Sequence, residues 1–383
     1  VTSERLLSGR FLLMCCFSAT VFLSAFQLLP TAPLRILELG GSRAEAGLFL
    51  GFLTYSSAAS APFTGGLADR LGRRRILIST SLVIAAFSVV YALLPRTWML
   101  LALVLLHGVF WSALLGASAA YVTDLLPEGR RTEGLAYWGL GSTLGVAVAP
   151  SLGFFLFQRV GWAGICVEAA LLNLAMAAIA FSLPETRRDA PRHPGGVEWR
   201  VLLVSVTLFL YSYGYGSLTS FVGLHAREHG APEGLFFTAF ALTLAVTRPL
   251  LGRFADRVGP RRLLPVCLVL AAAGLALLAV SVGSASLVLA AVVFGTGFGT
   301  AYTTFFSHVM ARIPPERRGA AFGAILAAFD TGIGSGSIVT GLVAAQCGIP
   351  AGFGLAALLA VLALPFFLFA EARWLAPELP RTR

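Results

Sequence analysis

Gly65-Gly66-Leu67-Ala68-Asp69-Arg70-Leu71-Gly72-Arg73-Arg74-Arg75 returns 187 residues later as Gly252-Arg253-Phe254-Ala255-Asp256-Arg257-Val258-Gly259-Pro260-Arg261-Arg262. A second pair, Pro127-Glu128-Gly129-Arg130-Arg131 and Pro315-Glu316-Arg317-Arg318-Gly319, repeats at an offset of 188. Two independent matches at nearly the same offset, close to half of the 383 residues, imply an internally duplicated chain. In a membrane protein such duplication points to a transporter with a central pathway between its halves.

The sequence around these stretches is apolar: 57% of residues are hydrophobic and 12% charged, against about 25% charged in a soluble domain. The 41 glycines suit helices whose backbones approach closely in lipid. A helix needs about 20 residues to cross the hydrocarbon core, so twelve spans would use nearly the whole chain. Polar interruptions place them at about 11–34, 44–66, 76–94, 98–123, 134–157, 162–183, 199–223, 233–254, 263–282, 286–310, 319–344 and 351–372. The expected fold is an all-α membrane protein of twelve transmembrane helices in two pseudo-symmetric six-helix bundles. Residues 1–183 form the first bundle, 184–198 a Pro-, Gly- and charge-rich linker, and 199–383 the second bundle with a short tail. Arg5 and Arg10 precede the first apolar run without a small-residue cleavage site, so that run is expected to be a retained span.

The formal charge of +10 comes from 28 arginines and no lysine. On the predicted spans, 22 arginines fall on one side of the membrane, five on the other (Arg35, Arg43, Arg96, Arg159 and Arg227), and Arg248 within the eighth span. The positive-inside rule then puts both termini and the linker in the cytoplasm of a bacterial inner membrane. The basic charge needs no nucleic-acid partner, since no basic face interleaves with stacking aromatics. The five cysteines form no CxxC pair and are expected to be buried small side chains, not disulfides or metal ligands.

The G-x-x-x-D-R-x-G-R-R pattern, with its weaker second copy, resembles the signature of the major facilitator superfamily. Gly145-Val146-Ala147-Val148-Ala149-Pro150-Ser151-Leu152-Gly153 is similar to that family's proton-antiporter signature, with Ala149 in place of one Gly. Drug exporters of the family carry R-x-x-Q-G in helix four. Here the run is Val104-Leu105-Leu106-His107-Gly108, lacking the Arg and with His107 in the Gln position. Arg248-Pro249 looks more like the bacterial efflux permeases related to arabinose exporters. The resemblance implies the major facilitator fold, proton-coupled efflux, and a cytoplasmic gate that stabilises one state of the transport cycle. The gate residues would be Gly65, Asp69, Arg70, Gly72, Arg73 and Asp124, with Gly252, Asp256 and Arg257 as the second copy.

The gate also has a reading in physical terms. Gly65 and Gly72 allow a tight turn, Asp69 can cap a helix N-terminus or pair with Arg, and Asp124 at the end of helix four is a partner for Arg73. The second copy is expected to be weaker, because Pro260 replaces an Arg and the end of helix ten offers Arg312 instead of an acid.

Ionisable groups at bilayer depth are functional candidates, because isolating them from water is costly. Asp330 leads. It lies eleven residues after Gly319, about 16 Å into the membrane, within the small-residue run Asp330-Thr331-Gly332-Ile333-Gly334-Ser335-Gly336. A carboxylate there can serve proton coupling or substrate binding; the alternative is an Asp bonded to neighbouring backbone or hydroxyls. His107, one turn from Trp111, and His308 near the end of helix ten follow, with a packing role as the alternative for His107. Glu168, six residues into helix six, lies nearer the outer surface, where a water-filled vestibule or snorkelling would satisfy it equally well, and Gln27 in helix one is a neutral polar group at cavity depth. Tyr211 and Tyr215, at i,i+4, and Tyr302 are candidates for an amphipathic pocket, with packing as the alternative. His225-Ala226-Arg227-Glu228-His229 reads as an external loop, not a metal site.

No phosphate-cradling loop occurs, so the expected energy source is an ion gradient and no cofactor is expected. The expected function is export of a small amphipathic organic molecule against protons by a rocking pair of bundles. The alternatives are uptake by symport or uniport, or lipid or lysolipid flipping. No nucleophile, base and orienting group assemble into an enzyme site, and one duplicated chain suffices as a monomer.

Overall fold

The computed structural model describes residues 8–127, 130–186, 199–314 and 317–375; no strand occurs among them. Their helices are α1 (Gly9–Glu38), α2 (Arg43–Leu71), α3 (Arg73–Leu93), α4 (Thr97–Leu125), α5 (Arg131–Ser182), α6 (Trp199–Val204), α7 (Val206–Glu228), α8 (Leu235–Val258), α9 (Pro260–Ala279), α10 (Ser284–Met310), α11 (Arg318–Cys347) and α12 (Ile349–Ala370). A π-helical turn, Glu371–Leu375, closes the described chain. Eight helices among the described residues are long and apolar enough to cross a membrane.

The predicted spans fall on these helices with local corrections. Spans five and six are the two limbs of α5, which bends at Gly161, a residue in the left-handed region (φ 69°). Span seven is broken at Ser205 into α6 and α7, and α7 continues to Glu228. The segment read as an external loop is therefore helical, and His225 is buried with its Nε2 2.9 Å from the Ser281 hydroxyl. The physical reason is a tertiary partner: Phe353 meets the His225 ring edge-on and the turn after α9 supplies the hydrogen bond. Cys16 and Cys347 are exposed, contrary to the expectation of uniform burial, while Cys166 and Cys267 are buried; all five thiols are free.

The signature stretch is a helix junction and not an extended loop. α2 runs to Leu71 and α3 begins at Arg73, with Gly72 alone between them at φ 98°. Its duplicate, Gly259, joins α8 to α9 at φ 83°. A side chain at either position would be strained, which accounts for glycine there. Gly65 thus lies inside α2, so the turn expected of it does not occur there. Elsewhere the ends are capped by side chains. Ser42 and Glu45 form a reciprocal capping box at the start of α2 (Glu45 N–H to Ser42 Oγ 3.2 Å, Ser42 N–H to Glu45 Oε2 2.7 Å).

The chain divides into two compact units, Val1–Ala190 and Pro191–Arg383. In the first, α1 packs along α5, α2 on α4, and α3 on α4 and α5. In the second, α7 packs along α11, α8 on α10, and α9 on α10 and α12. The same pairing is thus made twice, the three-dimensional counterpart of the sequence repeat. Large apolar side chains face outward, Leu171, Leu242 and Phe369 being 61%, 65% and 60% exposed. Such surfaces are a liability in water and ordinary in lipid.

Lipid is as apolar as leucine, so burial of hydrocarbon does little to hold these helices together; close packing and interhelical polar bonds do more. The α7–α11 seam has both. Ser220 and Ser337 share a hydrogen bond of 2.6 Å, and the Thr340 hydroxyl donates to Ser217 Oγ at 2.9 Å. Gly216 and Gly336 bring the backbones together, and a Cβ on either would overlap the carbonyl of Ile333 or Tyr213 respectively. Gly216→Ala is therefore expected to force the helices apart and to cost about 1–3 kcal/mol as overpacking does. A thermal unfolding midpoint checks it against Gly116→Ala, where nothing lies within 4 Å of the added carbon and no loss is expected.

Candidate functional site

At the Arg-rich end of the first unit the α2–α3 junction places three arginines in sequence. Arg73 enters the bundle, forms an ion pair with Asp124 of α4, and donates from Nη1 to the Ala120 carbonyl at 2.9 Å. The two side chains are 8% and 11% exposed. Arg74 turns the other way and caps the end of α5, donating to the carbonyls of Ala180 (3.3 Å) and Phe181 (2.7 Å). A cation over the last carbonyls of a helix is favoured by the helix dipole. The backbone N–H of Arg74 in turn donates to Glu185 Oε1 at 3.0 Å. The exposed Arg70, with Arg74, Arg75 and Glu185, lines a shallow cleft over Gly72. The side chains of Asp69, Arg248, Asp256 and Arg257 lie outside those described, as do the surroundings of Gly65 and Gly252 and residues 128–129 and 315–316.

The second unit solves the same problem with a different set. Arg261 Nε lies 3.2 Å from Glu371 Oε2, and Arg312 Nη2 lies 3.9 Å from Oε1. From sequence, Arg312 stands without an acid in this copy; the acid is Glu371, brought in from the turn after α12. His308 sits between them, Nε2 2.8 Å from Glu371 Oε1. Arg312 Nη1 lies 3.2 Å from His308 Nδ1 and can only donate, so Nδ1 accepts and Nε2 carries the proton that goes to Glu371. Glu371→Ala is expected to leave the buried His308 N–H without an acceptor, costing about 1–3 kcal/mol. Thermal unfolding of that variant, with Glu371→Gln retaining most of the stability through its amide oxygen, checks this.

Glu185 and Glu371 are not among the residues that the sequence singles out. Each directly follows the last helix of its unit, and each meets the second residue of its helix junction, Arg74 or Arg261. The available signal is an acid at the end of span six and again at the end of span twelve.

Mid-span groups gather in three places. In the first unit Gln27 of α1 donates from Nε2 to Glu168 Oε1 on the second limb of α5 at 3.0 Å. One to two turns along, Asn173 Nδ2 donates to Ser24 Oγ at 2.7 Å. His107 is elsewhere, between α3 and α4, with Nδ1 3.3 Å from the Tyr91 hydroxyl and its ring against Phe87. The Tyr91 carbonyl accepts from Trp162 Nε1 at 2.9 Å, so His107 belongs to an internal packing cluster. Trp111 meets Phe22 edge-on at 5.9 Å.

In the second unit Asp330 occupies the middle of α11, next to Phe329. Tyr302 packs edge-on against Phe329 at 4.9 Å, and the Phe329 carbonyl accepts from Ser212 Oγ at 2.8 Å. Among the described residues the Asp330 carboxylate makes no hydrogen bond and no ion pair. Tyr211 and Tyr215 share a face and sandwich Phe298, each with ring centroids 4.7 Å apart, and both are buried in the unit.

A duplicated helical bundle pair with outward apolar faces, charged helix junctions at one end and a few carboxylates at mid-span defines a multi-pass membrane transporter. The sequence profile of the Major Facilitator Superfamily matches residues 11–233 and 204–383. The chain belongs to that superfamily. It is 27% identical over 317 residues to the multi-drug resistance efflux pump PmrA homolog of Lactococcus lactis, covering 76% of this chain and 78% of that one. It is 30% identical to a chloramphenicol resistance protein of Pseudomonas aeruginosa (67% of this chain, 63% of that one). With multidrug resistance protein MdtG of Dickeya zeae it shares 26% identity, over 64% of this chain and 66% of the relative. The chain thus spans about two thirds of the length of these last two relatives. Among solved structures, a bacterial homolog of the human lysosomal transporter Spinster aligns over 99% of this chain and 100% of its own, at TM-score 0.81 and 15% identity. The nucleoside transporter NupG aligns over 95% of this chain and 99% of its own, at TM-score 0.73 and 16% identity. At these identities the likeness is one of fold.

Proposed function

We propose that the chain is a proton-coupled exporter of a small amphipathic organic molecule, acting as a monomer in a bacterial inner membrane with both termini and the linker in the cytoplasm. The observation that carries this reading is Asp330, a carboxylate at mid-span with no counter-charge among the described residues and an aromatic surround. In the cycle, an external proton neutralises Asp330, substrate leaves outward, and loss of the proton to the cytoplasm restores affinity as the halves alternate access. The relatives named for multidrug resistance and efflux support the outward direction. The 22-to-5 arginine asymmetry supports the orientation. No cofactor and no catalytic step enter this cycle.

Liposomes holding the purified chain test it. A thermal-shift screen first finds a ligand, since a bound molecule stabilises the fold by mass action. An imposed proton gradient is then expected to drive that ligand against its own gradient, and a protonophore to abolish the accumulation. Movement indifferent to the proton gradient would replace exchange with facilitated diffusion.

A further inference from the structure

Gln27 and Glu168 present a problem in hydrogen-bond accounting. Gln27 is 0% exposed, and its amide N–H groups are committed to Glu168 Oε1 (3.0 Å) and to the Leu23 carbonyl (3.2 Å). Turning the amide over would set its oxygen against two acceptors, so its orientation is fixed. Gln27 Oε1 and Glu168 Oε2 are then both buried without a partner among the described residues. They flank the same hydrogen bond, and with Glu168 ionised each can only accept, unlike the unpartnered hydroxyls elsewhere. Pro30, one turn on, has no N–H to offer the Phe26 carbonyl, which adds a third acceptor nearby.

None of the donors around the pair bonds Gln27 Oε1 or Glu168 Oε2. Thr31 Oγ1 donates to the Gln27 carbonyl (2.6 Å), and the Asn173 amide to Ser24 Oγ and the Ala169 carbonyl (both 2.7 Å). Arg35 lies two turns further along α1, about 12 Å on; its Nη1 is engaged by Glu38 at 3.3 Å, while its buried Nε has no partner among the described residues and does not reach the pair. Gly153 of the first α5 limb abuts the Gln27 backbone, where a Cβ would lie 2.8 Å from the Gln27 carbonyl oxygen, so this stretch of α1 is held rigidly. A buried group of acceptors with negative charge and no donor is complementary to a cation that brings its own N–H groups.

We infer that the Gln27–Glu168 pair binds the protonated amine of the transported molecule, which makes the substrate class amphipathic organic ammonium ions bearing N–H donors. This assignment rests on the transporter reading and names the substrate of that site. Amine N–H groups would bond Glu168 Oε2 and Gln27 Oε1. A quaternary ammonium keeps the charge but has no N–H to give, and an anion meets acceptors only.

Calorimetric titration of the full chain in lipid nanodiscs, corrected with empty nanodiscs, tests it with three probes of similar size: 4-phenylbutylammonium, its trimethylammonium analogue and 5-phenylvalerate. The primary ammonium is expected to bind about tenfold tighter than the quaternary one, the scale of one charge-assisted hydrogen bond, and the anion weakest. Glu168→Gln, which still accepts from Gln27, and Gln27→Leu are each expected to erase that preference while the unfolding midpoint shows the protein remains folded. Equal affinities in the wild type, no detectable binding of the primary ammonium, or an unchanged preference in both folded variants overturns the assignment and leaves the pair a water-solvated helix contact. Gradient-driven export of a neutral or anionic compound alone overturns this substrate class and keeps the export reading. Selective ammonium binding without gradient-driven movement does the reverse.

Discussion

Asp330→Asn protein in liposomes is expected to show substrate-driven proton flux no greater than empty liposomes, and, being fixed in the neutral form that releases substrate, to bind substrate more weakly than the wild type. The substitution keeps the size of the side chain, removes its ability to take up and release a proton, and fixes it in a neutral form. No hydrogen bond or ion pair of Asp330 is lost among the described residues, so the fold has no reason to fail. A carboxylate at mid-span is costly to keep ionised, and that cost is what links proton uptake to the exposure of the site. Asp330→Glu, which retains a titratable group, is expected to keep flux with an altered pH profile. Wild-type proton flux in Asp330→Asn would remove Asp330 from the coupling step and turn attention to Glu168.

The second large effect is on stability. Arg73→Ala is expected to destabilise the chain by about 3–5 kcal/mol, because it strands the Asp124 carboxylate in a bundle end where the pair is nearly buried. By the size scaling of unfolding entropy for a chain of 383 residues, this is a fall of about 5 °C in the midpoint. Asp124→Ala strands the guanidinium instead, though its bond to the Ala120 carbonyl remains, so the loss is expected to be smaller. The double variant Arg73→Met/Asp124→Leu removes both charges and is expected to recover most of the stability. Thermal unfolding of the three proteins decides it. Equal midpoints for wild type and Arg73→Ala would mean that water already solvates the pair.

The helices and their duplication were legible because lipid imposes a single requirement, a long apolar run, and because the glycine–arginine junction repeats nearly residue for residue. Arg73 with Asp124 was legible for a related reason: both charges sit at span ends, where apolar surroundings leave few partners. Glu185 and Glu371 were not, since an acid at the very end of a span looks like a solvated residue at the membrane edge. Their contacts, with Arg74 and Arg261, cross 111 and 110 residues of chain. His107 looked like a proton-handling group because its sequence neighbours are apolar; Tyr91, sixteen residues away, gives it a hydrogen bond that sequence does not display. The charged run at His225 looked like a loop because nothing local marks the buried contacts with Ser281 and Phe353. Gln27 and Glu168 were each visible as polar residues in spans, but their pairing depends on α1 lying along the far limb of α5, which only the fold defines.

The two acids that tie off the bundles also set an order of assembly. Glu185 and Glu371 are made after every helix of their own unit, and each reaches back to a junction made about 110 residues earlier. Each bundle can therefore be fastened only when its last helix has been inserted, and the first bundle can be fastened before the second is synthesised. A ribosome delivering this chain meets two separate closures, each made by a residue at the end of the final span.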